Sequence, residues 1–277
     1  MSRRRLALLG GLLGLAAASA GVWSLNAGGD QAAASTPPPH DGRFHVECRF
    51  SHSAPDDPIV FPNEPGASHQ HDFFGATTTG ASSDAESLLA SDTTCATRQD
   101  TAAYWAPSLY DGDRCLRPIS STAYYRAAPG VEPEDVVPFP TGLMMIGGDA
   151  SSVGPQDPDI VGWACTVEGR PQEAPPDCQG GVLLQVVFPD CWDGERLDSP
   201  DHREHVARST AEGCPAGHPV ALPQLEFHVH YPLPDDLAAL RLASGSLDTG
   251  HADFFNAWQP DKLATEVASC IHRDAYC

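Results

Sequence analysis

The chain has 277 residues, 26 of them proline and 25 glycine, with only 19% charged, a composition that excludes a helical bundle or coiled coil and favours short strands joined by loops. Acidic residues outnumber basic ones 37 to 16, for a net charge of −21 with histidine neutral; a chain of that sign is repelled by phosphate backbones, so no nucleic-acid partner is expected. Divalent cations and neutral or cationic ligands suit this field better, and Lys262, the only lysine, leaves no lysine pair for phosphate or Schiff-base chemistry.

Residues 1–27 read as an export signal, with Arg3, Arg4 and Arg5 ahead of an apolar run over 6–18 and small residues at two candidate cleavage points. The arginine pair resembles a twin-arginine signal. An uncleaved anchor is the alternative, and it is the only route to a membrane that the sequence offers. Residues 28–42, with three consecutive prolines and several small residues, bury little and read as a linker. No second linker follows, so residues 43–277 are expected to form one domain in a secreted or cell-surface protein.

Within that domain the segment Phe44-His45-Val46-Glu47-Cys48-Arg49-Phe50 alternates apolar and polar residues, as does Leu225-Glu226-Phe227-His228-Val229-His230-Tyr231. Each has the period of a half-buried strand. Further strands are expected over 121–126, 141–146, 160–166 and 182–188, and short helices over 85–89, 235–242 and 262–269. The expected fold is mostly β, an antiparallel sandwich or jelly-roll-like single domain with long disulfide-pinned loops. All nine cysteines follow the signal and none forms a C-x-x-C pair, which in an exported chain reads as disulfides. Cys165 with Cys178, Cys191 with Cys214 and Cys270 with Cys277 are plausible short-range partners, although spacing does not dictate connectivity; the odd count leaves one thiol over.

Histidine carries the chemical information. Ser68-His69-Gln70-His71-Asp72, Asp198-Ser199-Pro200-Asp201-His202-Arg203-Glu204-His205, His228-Val229-His230 and Gly250-His251-Ala252-Asp253 are compact polar settings. An H-x-H pair on a strand turns both imidazoles to one face, where they can share a metal ion, and a nearby carboxylate completes or orients such a set. The bland readings are a solvated loop for His69 and His71 and the outer face of a half-exposed strand for His228 and His230. His251 and Asp253 precede Phe254-Phe255 much as His71 and Asp72 precede Phe73-Phe74, which would set two polar edges around one pocket. The loop between Cys191 and Cys214 has the character of a scaffolded binding loop. No G-x-S-x-G, Walker, G-x-G-x-x-G or H-E-x-x-H motif occurs, so serine hydrolase, nucleotide-binding and zincin chemistry have no support.

The ordered strings Asp57-Pro58-Ile59-Val60, Ser68-His69-Gln70-His71, Tyr104-Trp105-Ala106-Pro107-Ser108-Leu109, Phe188-Pro189-Asp190-Cys191-Trp192-Asp193-Gly194, Leu197-Asp198-Ser199-Pro200-Asp201-His202, Cys214-Pro215-Ala216-Gly217-His218-Pro219-Val220, Leu222-Pro223 and His251-Ala252-Asp253-Phe254 resemble the exported family of unknown function DUF1996, over about residues 44–260. The resemblance implies secretion, a single domain and, by association with carbohydrate-binding modules elsewhere in the family, a cell-wall or polysaccharide setting. It marks Asp57, His69, His71, Asp198, Asp201, His202, His218, His251 and Asp253, and nothing at His228 or His230.

The expected function is a carbohydrate-active hydrolase or lyase with a His/Asp site that takes a divalent metal ion, acting on a polysaccharide or cell-wall glycan. His69, His71 and His251 are the expected metal ligands, and His69, His71, Asp57 and Asp253 the expected catalytic groups. Trp105 and Trp258 are expected as sugar-stacking platforms, with Asp198, Asp201 and His202 as further substrate contacts. The alternative is a non-catalytic glycan-binding or extracellular metal-binding module.

Overall fold

A computed structural model describes residues 42–166 and 169–277. Residues 1–27, expected as an export signal, and, apart from Gly42, residues 28–42, expected as a linker, lie outside the described residues. Fifteen strands follow one another: β1 (Arg43–Ala54), β2 (His71–Gly75), β3 (Ala103–Pro107), β4 (Leu109–Asp111), β5 (Arg114–Leu116), β6 (Ser120–Arg126), β7 (Met144–Gly148), β8 (Val161–Cys165), β9 (Val182–Val187), β10 (Cys191–Trp192), β11 (Val206–Ala207), β12 (Val220–Ala221), β13 (Gln224–His230), β14 (Leu240–Leu242) and β15 (His251–Phe255). Two short α-helices, α1 (Ala85–Leu89) and α2 (Pro260–Glu266), and three 3-10 turns complete the regular structure among the described residues, with a π-turn continuing α2. Among the described residues no helix is long and apolar enough to cross a membrane.

Nine strands form one antiparallel sheet in the order β7-β15-β3-β2-β1-β6-β13-β9-β8. Its concave side holds the main core, where Phe44, Phe74, Tyr104, Tyr125, Phe227 and Phe254 are 2% exposed or less. The sheet curls until its edges meet. A Cβ on Gly147 of β7 would stand 2.8 Å from Val186 of β9, and one on Gly148 would stand 2.8 Å from Val161 of β8. Only glycine allows that approach, and at Gly148 the φ of +78° adds a second reason. The mostly β, antiparallel expectation holds, with one nearly closed sheet supplying the walls.

A second, smaller core covers the outer face of β2, β3, β15 and β7. Phe73, Trp105, Ile146 and Phe255 project from the sheet, and Ile59 and Leu88 close over them. β2, β3 and β15 are therefore buried on both faces along their whole length.

The short-range disulfides form as expected, a fourth joins Cys48 to Cys95, and Cys115 is the free thiol. The strands expected over 44–50, 121–126, 160–166, 182–188 and 225–231 are present; the one expected over 141–146 starts later, at Met144. The helix expected over 235–242 is corrected. Asp236 accepts from Ala238 N and closes a single 3-10 turn, after which Leu240 and Leu242 are drawn into pairing with β4. Long-range pairing overrides a weak local preference there.

Candidate metal centre

Alternation along β15 turns His251, Asp253 and Phe255 to the outer face and Ala252 and Phe254 into the main core. On β2 the same rule turns His71 and Phe73 outward. The register runs Phe73 to Trp105 to Asp253 across β2, β3 and β15, and His71 sits opposite Pro107 one step along. His71 and His251 thus stand on the same face with only β3 between them. His69 reaches the pair from the loop just before β2. The D-F-F strings meet in space but not in phase: Asp72 faces inward to Ser53 and Ser108 at 2.6 and 2.7 Å, and only Asp253 joins the histidines.

The three imidazoles form a tight group, with ring centroids 4.2 Å apart for His69 and His71, 5.1 Å for His69 and His251, and 5.8 Å for His71 and His251. His71 Nδ1–H donates to the Asp56 carbonyl at 2.9 Å, and His251 Nδ1–H donates to the Thr249 carbonyl at 2.8 Å. A carbonyl only accepts, so these bonds assign the proton to Nδ1 and leave Nε2 with a lone pair when the ring is neutral. This is the outer support expected of a metal-bound histidine. The buried Nε2 atoms of His69 and His71 and the Asp253 Oδ2 have no hydrogen-bond partner, and His251 Nε2 is 4.0 Å from that oxygen.

Ligand atoms of His69, His71 and His251 all lie within 4.8 Å of one another, as do those of Asp57, His71 and Asp253. The two sets share His71. Asp57 is fixed by the backbone N–H groups of Ile59 and Val60, which donate to its Oδ1 at 2.9 and 3.0 Å.

Electrostatics follow from burial. Desolvation, helped by the neighbouring His69 and His251, drives His71 well below its ordinary value, and burial brings His251 down to about 4 and also lowers His69. Burial pushes Asp253 well above the usual carboxylate range, with the charge of Asp57 adding to it, and burial raises Asp57 as well. Three neutral imidazoles beside two carboxyl groups, with unpartnered buried ligand atoms, suit a divalent transition-metal ion, whose charge would favour the ionised carboxylates.

A cleft of about 390 Å³ opens above this group, with His69, His251, Asp57 and Asp253 on its floor and His202 and Arg203 on its wall. The wall is a built loop. The Cys191–Cys214 bridge spans it, and the fully buried His205 ties Ser199 Oγ at 2.9 Å to the Met144 carbonyl at 2.7 Å. Asp201 Oδ1 accepts from Glu204 N, Ser199 Oγ and Arg203 N, bonds that bring its carboxyl down to about 2. The Asp198 carboxylate accepts from His202 Nδ1 at 2.9 and 3.0 Å and holds that residue at a φ of +58°, the left-handed region that a non-glycine residue seldom occupies.

The structure therefore brings together Asp57, His69, His71, His251 and Asp253, with His202 on the adjacent wall. Asp201 lines the cleft, but its Oδ1 is committed to the loop, and Asp198 orients His202. The stacking role expected of Trp105 and Trp258 is corrected by their burial. Trp105 is 0% exposed in the smaller core and Trp258 is 1% exposed in the main core, where its Nε1–H reaches Tyr125 OH at 3.2 Å, so neither ring offers a face to a sugar. His228 and His230 lie elsewhere, paired with Glu226 at 2.6 Å and Thr122 at 3.1 Å. Arg203 is a site residue that type and spacing do not mark, since nothing local distinguishes it from any surface arginine.

The family model of a domain of unknown function, DUF1996, matches residues 57–258, a span that includes every donor in the cluster. No curated protein and no solved structure matches the chain.

Proposed function

Because the chain belongs to the DUF1996 family, a designation that carries no chemistry, its function is read from the site itself, and we propose a secreted enzyme with a divalent-metal centre that cleaves a cell-wall or other polysaccharide by hydrolysis or elimination. The observation that carries this reading is the convergence of three imidazoles at an open cleft, His69 and His251 on its floor and His71 buried beneath them, with the Nε2 atoms of His69 and His71 buried and unpartnered. Four disulfides accord with the extracellular setting.

A divalent ion held there would polarise a substrate oxygen as a Lewis acid. His69, His71 and His251 are its ligands, two of them oriented by backbone carbonyls. Asp57 and Asp253 stand beside His71, where a carboxyl group can take up or deliver a proton. The His202 imidazole, supported by Asp198, is a further proton-transfer group on the wall. An open cleft admits a chain longer than the cleft itself, which suits a polymer. A purely metal-storing module needs the donors alone, so the supported His202 beside them favours catalysis.

The test is metal content of the purified exported domain by mass spectrometry, compared with a His69→Ala/His71→Ala/His251→Ala variant whose fold is checked by circular dichroism. The reading requires about one equivalent of ion in the parent and none in the variant, followed by metal-dependent cleavage in a polysaccharide screen. No bound ion in either protein after incubation with zinc, manganese, nickel and copper sinks it.

A further inference from the structure

Arg203 stands on the cleft wall with no task in the metal reading. It lines the cleft with His69, His251 and Asp253. Its backbone is fixed, because Arg203 N–H donates to Ser199 Oγ and Asp201 Oδ1, each at 3.1 Å, within the loop that the Cys191–Cys214 bridge spans.

Three carboxylates around it are engaged in their own turns, whereas Asp253, on the floor of the same cleft, keeps an unpartnered Oδ2 beside the histidines. Asp201 Oδ1 closes its own turn, Asp198 holds His202, and Asp149 Oδ1 accepts from Ser151 N and Oγ at 2.8 and 2.7 Å. Among the described residues the Arg203 guanidinium has no hydrogen-bond or ion-pair partner, in a chain where acids outnumber bases 37 to 16. A planar fork of five N–H donors is thereby left unspent on the cleft wall, the donor set that matches a carboxylate with two parallel hydrogen bonds. His202, next to it, lines the same wall, and among the described residues its second ring nitrogen has no hydrogen-bond partner.

We propose that Arg203 binds a carboxylate carried on a sugar ring, so that the substrate is an acidic, uronate-type glycan rather than a neutral one; this rests on the reading of the cleft as a polysaccharide site. The net charge of −21 opposes an anionic polymer. Screening at physiological ionic strength confines that opposition to about 8 Å from each exposed charge. Within that distance Asp149 and Asp201 line the same cleft, and the Arg203 guanidinium is the group there that offers a carboxylate two parallel donors.

The metal-loaded exported domain is titrated by calorimetry with oligomers of galacturonate, glucuronate and mannuronate, each beside its carboxyl-reduced neutral counterpart. At least one acidic oligomer is expected to bind about tenfold or more tightly than its counterpart. Arg203→Met removes that preference with metal content unchanged, and Arg203→Lys keeps part of it. Equal binding of acidic and neutral oligomers, binding of none of them, or a preference that survives Arg203→Met overturns the proposal. Metal analysis of the same samples separates the two readings. A parent protein that takes up no metal yet prefers acidic oligomers through Arg203 fails the metal reading alone, and one with stoichiometric metal but no preference fails this proposal alone.

Discussion

Replacing His71 with leucine tests the metal centre through stability instead of turnover. His71 is 0% exposed, its Nδ1–H is satisfied by the Asp56 carbonyl, and its Nε2 is buried without a partner. Leucine has a similar volume, so the cavity penalty that makes an ordinary truncation cost about 2–5 kcal/mol is largely absent. The variant loses one hydrogen bond, about 1 kcal/mol, and sheds a buried unsatisfied nitrogen whose burial costs about 1–3 kcal/mol. Metal-free His71→Leu is therefore expected to be as stable as the parent or slightly more so. Metal reverses the order. At a free concentration one hundred times Kd the parent gains about 2.7 kcal/mol, equivalent to about 5–11 °C in Tm for a domain of this size, and the variant gains nothing. The assay is thermal unfolding of both proteins with chelator and with added zinc or manganese. An equal metal-induced shift in the variant, or a metal-free loss beyond about 3 kcal/mol, refutes the reasoning, because His71 would then be a side chain whose contacts are complete without a ligand.

The remaining predictions concern protonation, closure of the sheet and the cleft wall. Since burial lowers His71 and brings His251 down to about 4, the unfolded chain binds protons below about 6.5 that these folded groups do not, so their contribution to metal-free stability should fall from pH 7 towards pH 4, against the opposite trend of the raised carboxyls of Asp253 and Asp72; a parent urea midpoint that falls no further over this range than that of His71→Leu contradicts it. Asp100 behaves in the opposite sense. Burial pushes it up to about 8 although Tyr104 OH donates to it at 2.8 Å, so its contribution is present below about 4 and is lost as pH rises through about 8. Asp100→Asn should flatten that loss, read as a smaller Tm difference between pH 6 and pH 9. Gly148→Ala places a Cβ 2.5 Å from the Gly250 carbonyl and 2.8 Å from Val161 across the closing edge of the sheet, and should cost about 2–3 kcal/mol. Gly66→Ala has the same φ of +78° with nothing within 4 Å and should cost about 1 kcal/mol; equal losses in denaturant titrations would show that sheet closure is not what Gly148 permits. Replacing Cys191 and Cys214 with serine opens a bridge of sequence separation 23. It should lower stability by about 3 kcal/mol and weaken uronate binding at Arg203 in the same calorimetric titration, whereas unchanged affinity would mean that the loop holds its shape without the bridge.

Legibility in the sequence follows burial. β1 and β13 show their period because one face of each meets the core and the other meets polar surroundings over much of its length. β2, β3 and β15 show none, being buried on both faces between two cores, so the strands that carry the site are the ones a period-two search passes over. The tryptophans make the same point from the other side, since residue type does not distinguish Trp105 beneath the smaller core from an exposed platform. Cysteine spacing points to three bridges whose partners are close along the chain, but Cys48 and Cys95 meet only because the segment after α1 returns to β1.

The donors themselves are legible as chemistry. His69, His71, His251, Asp57 and Asp253 stand out by type and by neighbours, and the position of His71 and His251 relative to strand alternation is a local property of β2 and β15. Whether those donors meet is not local. β3 must lie between β2 and β15 in one register, the 55–70 segment must bring Asp57 and His69 over the sheet, and the bridged loop must turn Arg203 towards them. The chain alone thus determined which groups are able to bind metal or protons and which stretches alternate, because these depend on residue identity and on neighbours within a few positions. Tertiary structure decided which of them share a site and which are sealed in a core, because strand pairing between distant segments is selected by burial of the whole sheet and leaves no mark on any one of them.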